Sequence, residues 1–593
     1  MTTRFIKASK SSALFRVGSE FAHDNLVKQI LSGGGRMKNK EKTLEQLRIR
    51  ICEALDHNEL QVAQKNIRKM MRYERIEAMG FMITVEIMRG NSKKAEKEFR
   101  KLVAEGANIT PAHYLVGARA IYEQGKVVEA LKILEQTDTS MLGTERLTQF
   151  YNLMGQCYRY LGVCDKSVEM YLMSYKTSYS LNTASVNYSN YLFGLHHVPR
   201  SIQEQRKAAE GYQEIFKDIE PFTHPASKQE KRKLRIGYIS PDLCKHVVLC
   251  FSYAFFAGYD HDRFEVFLYA NNKEDWHSRH LASIVDGWRN IKDMDPEQAA
   301  RLIYEDKIDI LMDLAGHTKD NCLPVLAYKP APIQISGIGY FASTGLKTVD
   351  YFLGDVHLDP EEAKQGFTEE LLLLPDSHFC YAEMEAPPPI AEPAYKKNGY
   401  ITFGSFNNFS KVNNEVLRVW REILQLVPDA RLLLKAEIFV QKSNWKFAMG
   451  RMEEAGIPLE RVEVRGVTVN YMQEYHDMDI ALDTFPYPGG GTTCDALYMG
   501  VPVISLRGKS HGERFGTSFL ENLGLEELCA DTMEGYIKKA VELSQDKARL
   551  DTLHKNIRER LRESPVMNAK LYMENIQATY ERIWERYLTE APN

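Results

Sequence analysis

The chain contains no stretch of about 18 consecutive apolar residues, which excludes a membrane-spanning helix of ordinary composition. It also has no Cys-x-x-Cys pair. Its nine cysteines, at 52, 157, 164, 244, 250, 322, 380, 494 and 529, are scattered and form no even framework. That argues against a disulfide scaffold and reads as reduced, mostly buried thiols of a cytoplasmic protein. An excess of either charge is lacking too. Lys and Arg number 76 against 80 Asp and Glu, a net charge of −4, so no global field draws nucleic acid or an anionic membrane to the surface. Residues 1–40 are basic and serine-bearing, yet they have no apolar core region or cleavage-like site, and Glu20 and Asp24 interrupt them. Residues 1–42 therefore read as a tail or peripheral helix.

What is present is length and ordinary globular composition. With 593 residues, 44% hydrophobic and 26% charged, the chain has room for two to four domains. Residues 43–220 read as helices with short polar breaks and contain an internal repeat. Its clearest unit is Tyr151-x2-Met154-Gly155-x2-Tyr158, followed by Ser167, Tyr171 and Ser174. Weaker copies pass through Tyr114, Ala118, Ile121, Ala130 and Leu134, and through Ala95 and Phe99. This alternation of large, small and aromatic positions matches the tetratricopeptide pattern of roughly 34 residues. It predicts three to five helix pairs stacked as a solenoid, a form that presents a concave face to a peptide or protein. Residues 221–233 (PFTHPASKQEKRK) break the pattern with two prolines and a basic run, and mark a linker.

From 234 the period changes. Compact apolar runs at 234–240, 264–270 and 308–314 alternate with helical segments such as 296–305, which predicts a Rossmann-like half over 234–385. His246 and His317 fall on loops where two of these strands end, the end at which open α/β sheets bind ligands. Imidazole suits proton transfer at neutral pH, whereas no third residue with metal-ligand spacing accompanies the pair. Residues 359–397 are loop-rich, and the prolines of 386–400 mark an interdomain connection. A second Rossmann-like half over 401–593 follows, with strands near 401–406, 430–435, 462–465, 479–483 and 501–506 and a closing helix near 567–587. That helix could cross back over the first half. Lys411 lies in a strand-to-helix loop, where its ammonium can reach a phosphate.

The stretch with most chemistry is Phe485-Pro-Tyr-Pro-Gly-Gly-Gly-Thr-Thr-Cys-Asp-Ala-Leu497. Three consecutive glycines permit close backbone approach and positive φ. Thr492 and Thr493 offer hydroxyls and free N–H groups where a helix begins, an anion site. Residues 496–500 read as that helix's first turns. Asp495 can accept hydrogen bonds from a sugar diol. Together these features suggest a nucleotide diphosphate; the alternative is a tight turn with no ligand.

Several ordered stretches carry a family resemblance: Tyr238-x-Ser240-Pro241-Asp242 with His246, Asp313-Leu-Ala-Gly-His317-Thr318, Pro330-Ala-Pro-Ile-Gln334 with Gly339-Tyr340, Phe403-Gly-Ser-Phe-Asn-Asn408 with Lys411, and Gly490-Gly-Thr-Thr-Cys-Asp495. The set resembles the bacterial O-linked N-acetylglucosamine transferases over about 234–587, behind tetratricopeptide-like helices in the same order. The resemblance implies an α plus α/β architecture, a helical-repeat solenoid followed by a GT-B pair of Rossmann-like domains. It implies inverting, metal-independent transfer from a UDP-sugar to Ser or Thr of a protein acceptor, with no cofactor. By position it assigns His246, His317 and Lys411 to catalysis. Asn408, Lys411, Gly490, Gly491, Thr492, Thr493, Asp495 and His511 are assigned to the UDP-sugar. Two departures, at 336–338 and 341–343, fall where the sugar contacts the protein, and Asn470 stands where animal enzymes carry a lysine. UDP-N-acetylglucosamine leads among donors. A UDP-glucose-dependent asparagine glycosyltransferase and a non-catalytic repeat scaffold with a regulatory nucleotide site are the alternatives. The implied partners are the donor and a protein acceptor held by the repeat face, with neither nucleic acid nor membrane; self-association stays open.

Overall fold

The computed structural model describes residues 39–106, 109–224, 232–384 and 386–590. Most of the expected tail at 1–42 and the basic half of the linker lie outside the described residues. The chain divides into two compact units. One comprises the chain up to Leu161 with Glu169–Asn187 and Gln441–Phe447; the other comprises Gly162–Val168, Tyr188–Val440 and Ala448–Asn593.

The first unit is helical. Helices Asn39–Asp56, Arg75–Met88, Pro111–Tyr122 and Thr144–Tyr160 begin 36, 36 and 33 residues apart, each followed by a partner helix. Small residues set the helix spacing. A Cβ on Gly117 would lie 2.4 Å from the Phe99 ring, and one on Gly155 would lie 2.7 Å from Tyr171. The repeat positions Ala95, Ala118, Ile121, Ala130 and Leu134 are fully buried, as an interior shared between stacked pairs requires. Asn444 is buried in the same unit, where its side chain accepts from Val128 N–H (3.1 Å) and donates to the Gly125 carbonyl (2.6 Å).

The second unit holds two parallel sheets. In the first, β1 (Leu234–Ser240), β2 (Phe264–Ala270), β3 (Gly287–Asn290), β4 (Ile310–Asp313), β5 (Ile333–Ser336), β6 (Tyr351–Asp355) and β7 (Glu370–Leu374) run in the order β3-β2-β1-β4-β5-β6-β7. In the second, β8 (Thr402–Ser405), β9 (Arg431–Lys435), β10 (Val462–Arg465), β11 (Ile480–Leu482), β12 (Val503–Leu506) and β13 (Cys529–Ala530) run β10-β9-β8-β11-β12-β13. Both are doubly wound, with order reversing between β1 and β4 and between β8 and β11. Ligands bind at such reversals, outside the carboxyl ends of the strands. Strands β6 and β7 replace part of the loop expected at 359–397 and its approach, and extend the first sheet by two.

The closing helix, Ala569–Glu590, does cross back to the first sheet. Tyr580 and Tyr238 share a hydroxyl hydrogen bond (3.1 Å), Tyr572 donates to the His378 carbonyl (3.0 Å), and Gln577 accepts from Asp260 N–H (2.7 Å). Gly345 adopts φ +71°, and a Cβ there would sit 1.9 Å from the Ala209 carbonyl oxygen. Gly345→Ala is therefore expected to cost about 2–3 kcal/mol and to lower the unfolding midpoint of this unit by several degrees, measured by thermal denaturation.

Candidate active site

The loop after β8 and the loop after β11 flank the reversal of the second sheet, and their side chains meet. Lys411 Nζ donates to the Pro488 carbonyl (2.7 Å) and to Asn407 Oδ1 (3.5 Å), and lies 3.8 Å from the centre of the Tyr487 ring. Thr492 Oγ1 donates to the same Asn407 oxygen (2.8 Å). Beneath them Asp483, buried at the end of β11, accepts from Gly489 N–H (2.7 Å), Thr484 N–H (2.9 Å) and Ser505 Oγ (3.0 Å). Burial pushes the Lys411 ammonium down to about 8, against the opposing pull of Asp483. Burial also pushes the Asp483 carboxyl up to about 6. The loop thus holds a cation close to losing its proton, a state that an incoming anion would reverse.

The helix that follows differs from expectation. It spans Gly491–Tyr498, so 496–500 are its last turn and exit rather than its start, and Gly500 (φ +82°) ends it. Its first bond runs from Cys494 N–H to the Gly490 carbonyl (3.1 Å), which leaves the N–H groups of 491–493 without helical acceptors. None of Gly489, Gly490 and Gly491 uses the positive φ that glycine permits. Their need is close approach: a Cβ on Gly489 would lie 2.4 Å from Thr493 Oγ1 and 2.5 Å from Thr492 Oγ1. One on Gly491 would lie 2.7 Å from Val247 of the other lobe. Gly490 is less constrained, with Phe515 at 3.9 Å.

Asp495 is held by two phenols, Tyr381 OH at 2.7 Å and Tyr471 OH at 3.0 Å, one on each carboxylate oxygen. Burial lifts its carboxyl to about 6, and the two hydroxyls partly offset that. Of the asparagine pair, Asn408 turns away to cap the short turn at Phe409–Lys411, accepting from Ser410 N–H (3.1 Å). Its neighbour Asn407 is the one at the centre. Alternation along the chain, carried past β8, puts the two asparagine side chains on different sides.

In the first lobe, His246 is exposed at the start of helix Val247–Ala257, with Asp242 Oδ1 3.3 Å from its Nδ1. The contact between Val247 and Gly491 brings this helix start to the glycine loop. His317 follows β4 and is enclosed. Its Nε2 donates to the Thr344 carbonyl (2.9 Å), so its Nδ1 accepts from Ser189 Oγ (2.9 Å). Burial takes its pKa down to about 3. A neutral ring with both nitrogens engaged orders the loops around it and has no lone pair to offer a substrate. His511 is also buried, its Nδ1 donating to Asp359 (3.0 Å) among Phe352, Phe367 and His378. It packs between the lobes and does not lie open beside the glycine loop. The sequence reading passed over His196 and His197. His196 Nε2 bonds Tyr340 OH (2.9 Å), and the His197 ring lies 5.2 Å from Tyr487. Their only signal was a paired histidine before Pro199, at the end of a helix.

Two doubly wound lobes, the second with a cation and a free helix start at its switch point, define a protein of the GT-B fold class. The glycosyl transferase family 41 model matches residues 183–387 and 393–576, and the chain belongs to that family. It is 38% identical over 369 residues to the probable UDP-N-acetylglucosamine–peptide N-acetylglucosaminyltransferase SPINDLY of Solanum lycopersicum, covering 61% of this chain and 40% of that one. To the corresponding SEC protein of Arabidopsis thaliana it is 28% identical over 385 residues, 62% of this chain and 39% of that one. The chain thus spans about two fifths of the length of these curated relatives. A mutant of the Thermobaculum terrenum O-GlcNAc transferase superposes with a TM-score of 0.77 at 24% identity, covering 94% of this chain and all of that one, which shows a shared fold.

Proposed function

We infer that the protein transfers a sugar, N-acetylglucosamine first among candidates, from a UDP-sugar to Ser or Thr hydroxyls of a protein acceptor, with inversion and without a metal. The observation that carries this reading is the convergence of Lys411, Asn407, Thr492 and the open N–H groups of 491–493 on one turn. In this mechanism the acceptor oxygen attacks the anomeric carbon and its proton passes to His246. The bond from that carbon to the diphosphate breaks, and the electron pair leaves with UDP. The growing charge is met by Lys411 and by the helix start. Asp495 holds the ribose diol. His317 acts by ordering the loop after β4. The names carried by the family relatives support a peptide acceptor, and the repeat helices supply a face on which to hold one. Among the described residues no helix is long and apolar enough to cross a membrane. Nine free cysteines favour a reducing compartment, the cytoplasm.

Residues that bind diphosphate and ribose do not read the base or the sugar. The test is therefore incubation of purified protein with a lysate of its source and a panel of UDP- and GDP-sugars, read by intact-protein mass. One donor giving a hexosamine-sized increment on Ser or Thr is expected. Modification of asparagine, or donor hydrolysis with no protein product, would overturn the reading. Transfer is expected to persist in EDTA, because a lysine and a helix start supply the neutralising charge. Loss restored by Mg²⁺ or Mn²⁺ would reassign that role to a metal.

A further inference from the structure

The Tyr487 ring lies beside a lysine that forms no ion pair among the described residues. Lys411 Nζ sits 3.8 Å from its centre, well inside the range in which an ammonium is attracted by a ring face. Other rings hold it in place, among them Phe193, edge-on at 6.1 Å. Phe341, from the loop after β5, packs against it at 4.6 Å, and His197 approaches edge-on at 5.2 Å. Its backbone is fixed as well, since the Tyr487 carbonyl accepts from Thr484 Oγ1 (2.7 Å) and the next carbonyl, of Pro488, accepts from Lys411 itself. Neither the glycine motif nor the family assignment gives this tyrosine a role.

We propose that Tyr487 is a positioning residue for Lys411, its ring face keeping the ammonium charged and aimed at the glycine loop. This rests on the reading of Lys411 as the group that meets the departing diphosphate. The physical need is clear from the surroundings. The amine is partly withdrawn from water, which disfavours its charged form, and the charged group that acts on it from the end of β11 is Asp483. Asn407 and Pro488 offer it neutral oxygens, and Phe341 and His197 pack against the Tyr487 ring. A ring quadrupole opposes deprotonation without adding a titratable group, and in a desolvated site that opposition is large enough to matter at neutral pH. Because Phe341 belongs to the first lobe, the ring's orientation also depends on the lobes being together.

The test separates the ring's electrostatics from its bulk. The full chain is labelled with ¹³C-lysine, the Lys411 resonance is assigned by its absence in K411R, and its titration is followed in Y487F and in variants carrying progressively fluorinated phenylalanine at 487. Fluorination weakens the quadrupole and leaves the shape nearly unchanged. The expected result is a Y487F midpoint like the parent's, falling with each fluorine by about one unit in total. An unchanged midpoint across the series overturns the proposal. UDP affinity, measured by calorimetry at the same pH, tells the two ideas apart. A midpoint that falls while UDP affinity stays constant upholds Tyr487 as the partner of Lys411 and removes Lys411 from phosphate binding.

Discussion

Lys411→Ala is expected to lower turnover at saturating donor by about 100- to 1,000-fold, the effect of removing one preorganised donor aimed at developing charge. In the proposed mechanism the diphosphate gains its charge as the glycosidic bond breaks and the lysine acts mainly in the transition state, so kcat should fall more than KM rises. A second consequence separates this lysine from a structural one. Burial lowers its pKa from the ordinary lysine value of 10.5 to about 8, so the empty site holds the charge less readily than water does. By linkage, stability rises with pH between those two values, and holding the charge below about 8 is a cost to the folded protein. Lys411→Met should therefore be no less stable than the parent in thermal unfolding while being nearly inactive. For the parent, kcat/KM, which follows the free enzyme, should decline as pH rises through about 8 and the ammonium of the empty site is lost. A folded Lys411→Ala protein with near-normal kcat would remove the residue from the mechanism.

Much of this could be read from the chain because parallel strands covered on both faces are near-continuous apolar runs. β1, β2 and β10 were placed to the residue, and so was the helix Pro296–Glu305, whose Asp295 cap precedes a proline at its first position. β3 and β13 are short edge strands of four and two residues, GWRN and CA, and carry too little pattern to be seen. β7, with its run of four leucines, was hidden by the prolines and loop residues around it. The helix at Gly491 was placed late because glycine and threonine are poor helix formers. Here the loop below fixes its start, through Asp483 on Gly489 N–H and Asn407 on Thr492. The site was legible as a set of loops and less so residue by residue. Which histidine is enclosed and which exposed depends on Ser189 and Thr344, 128 and 27 residues from His317, and no local pattern reports such partners.

The second large effect concerns affinity. In the proposed mechanism Asp495 accepts from the ribose diol, and a charged acceptor's hydrogen bonds contribute about 1.5–3 kcal/mol each. The net loss on removing it is smaller, because the carboxylate is not idle in the empty protein: binding exchanges the hydroxyls of Tyr381 and Tyr471 for those of the sugar. Asp495→Ala should therefore raise the donor KM by roughly 10- to 100-fold and leave kcat within about threefold, a loss of uniform binding. The same exchange makes a prediction of opposite sign. Tyr471→Phe removes one competitor from a carboxylate whose burial makes an unpaired oxygen costly, so the nucleotide should bind at least as tightly as to the parent. Protonation acts as the alanine does. With the carboxyl raised to about 6, donor affinity should weaken as pH falls through that value, and this limb should be absent from Asp495→Ala. Calorimetric titration of UDP into the three proteins between pH 5 and 8 decides the matter. Equal affinities throughout would mean that the ribose is read by other residues.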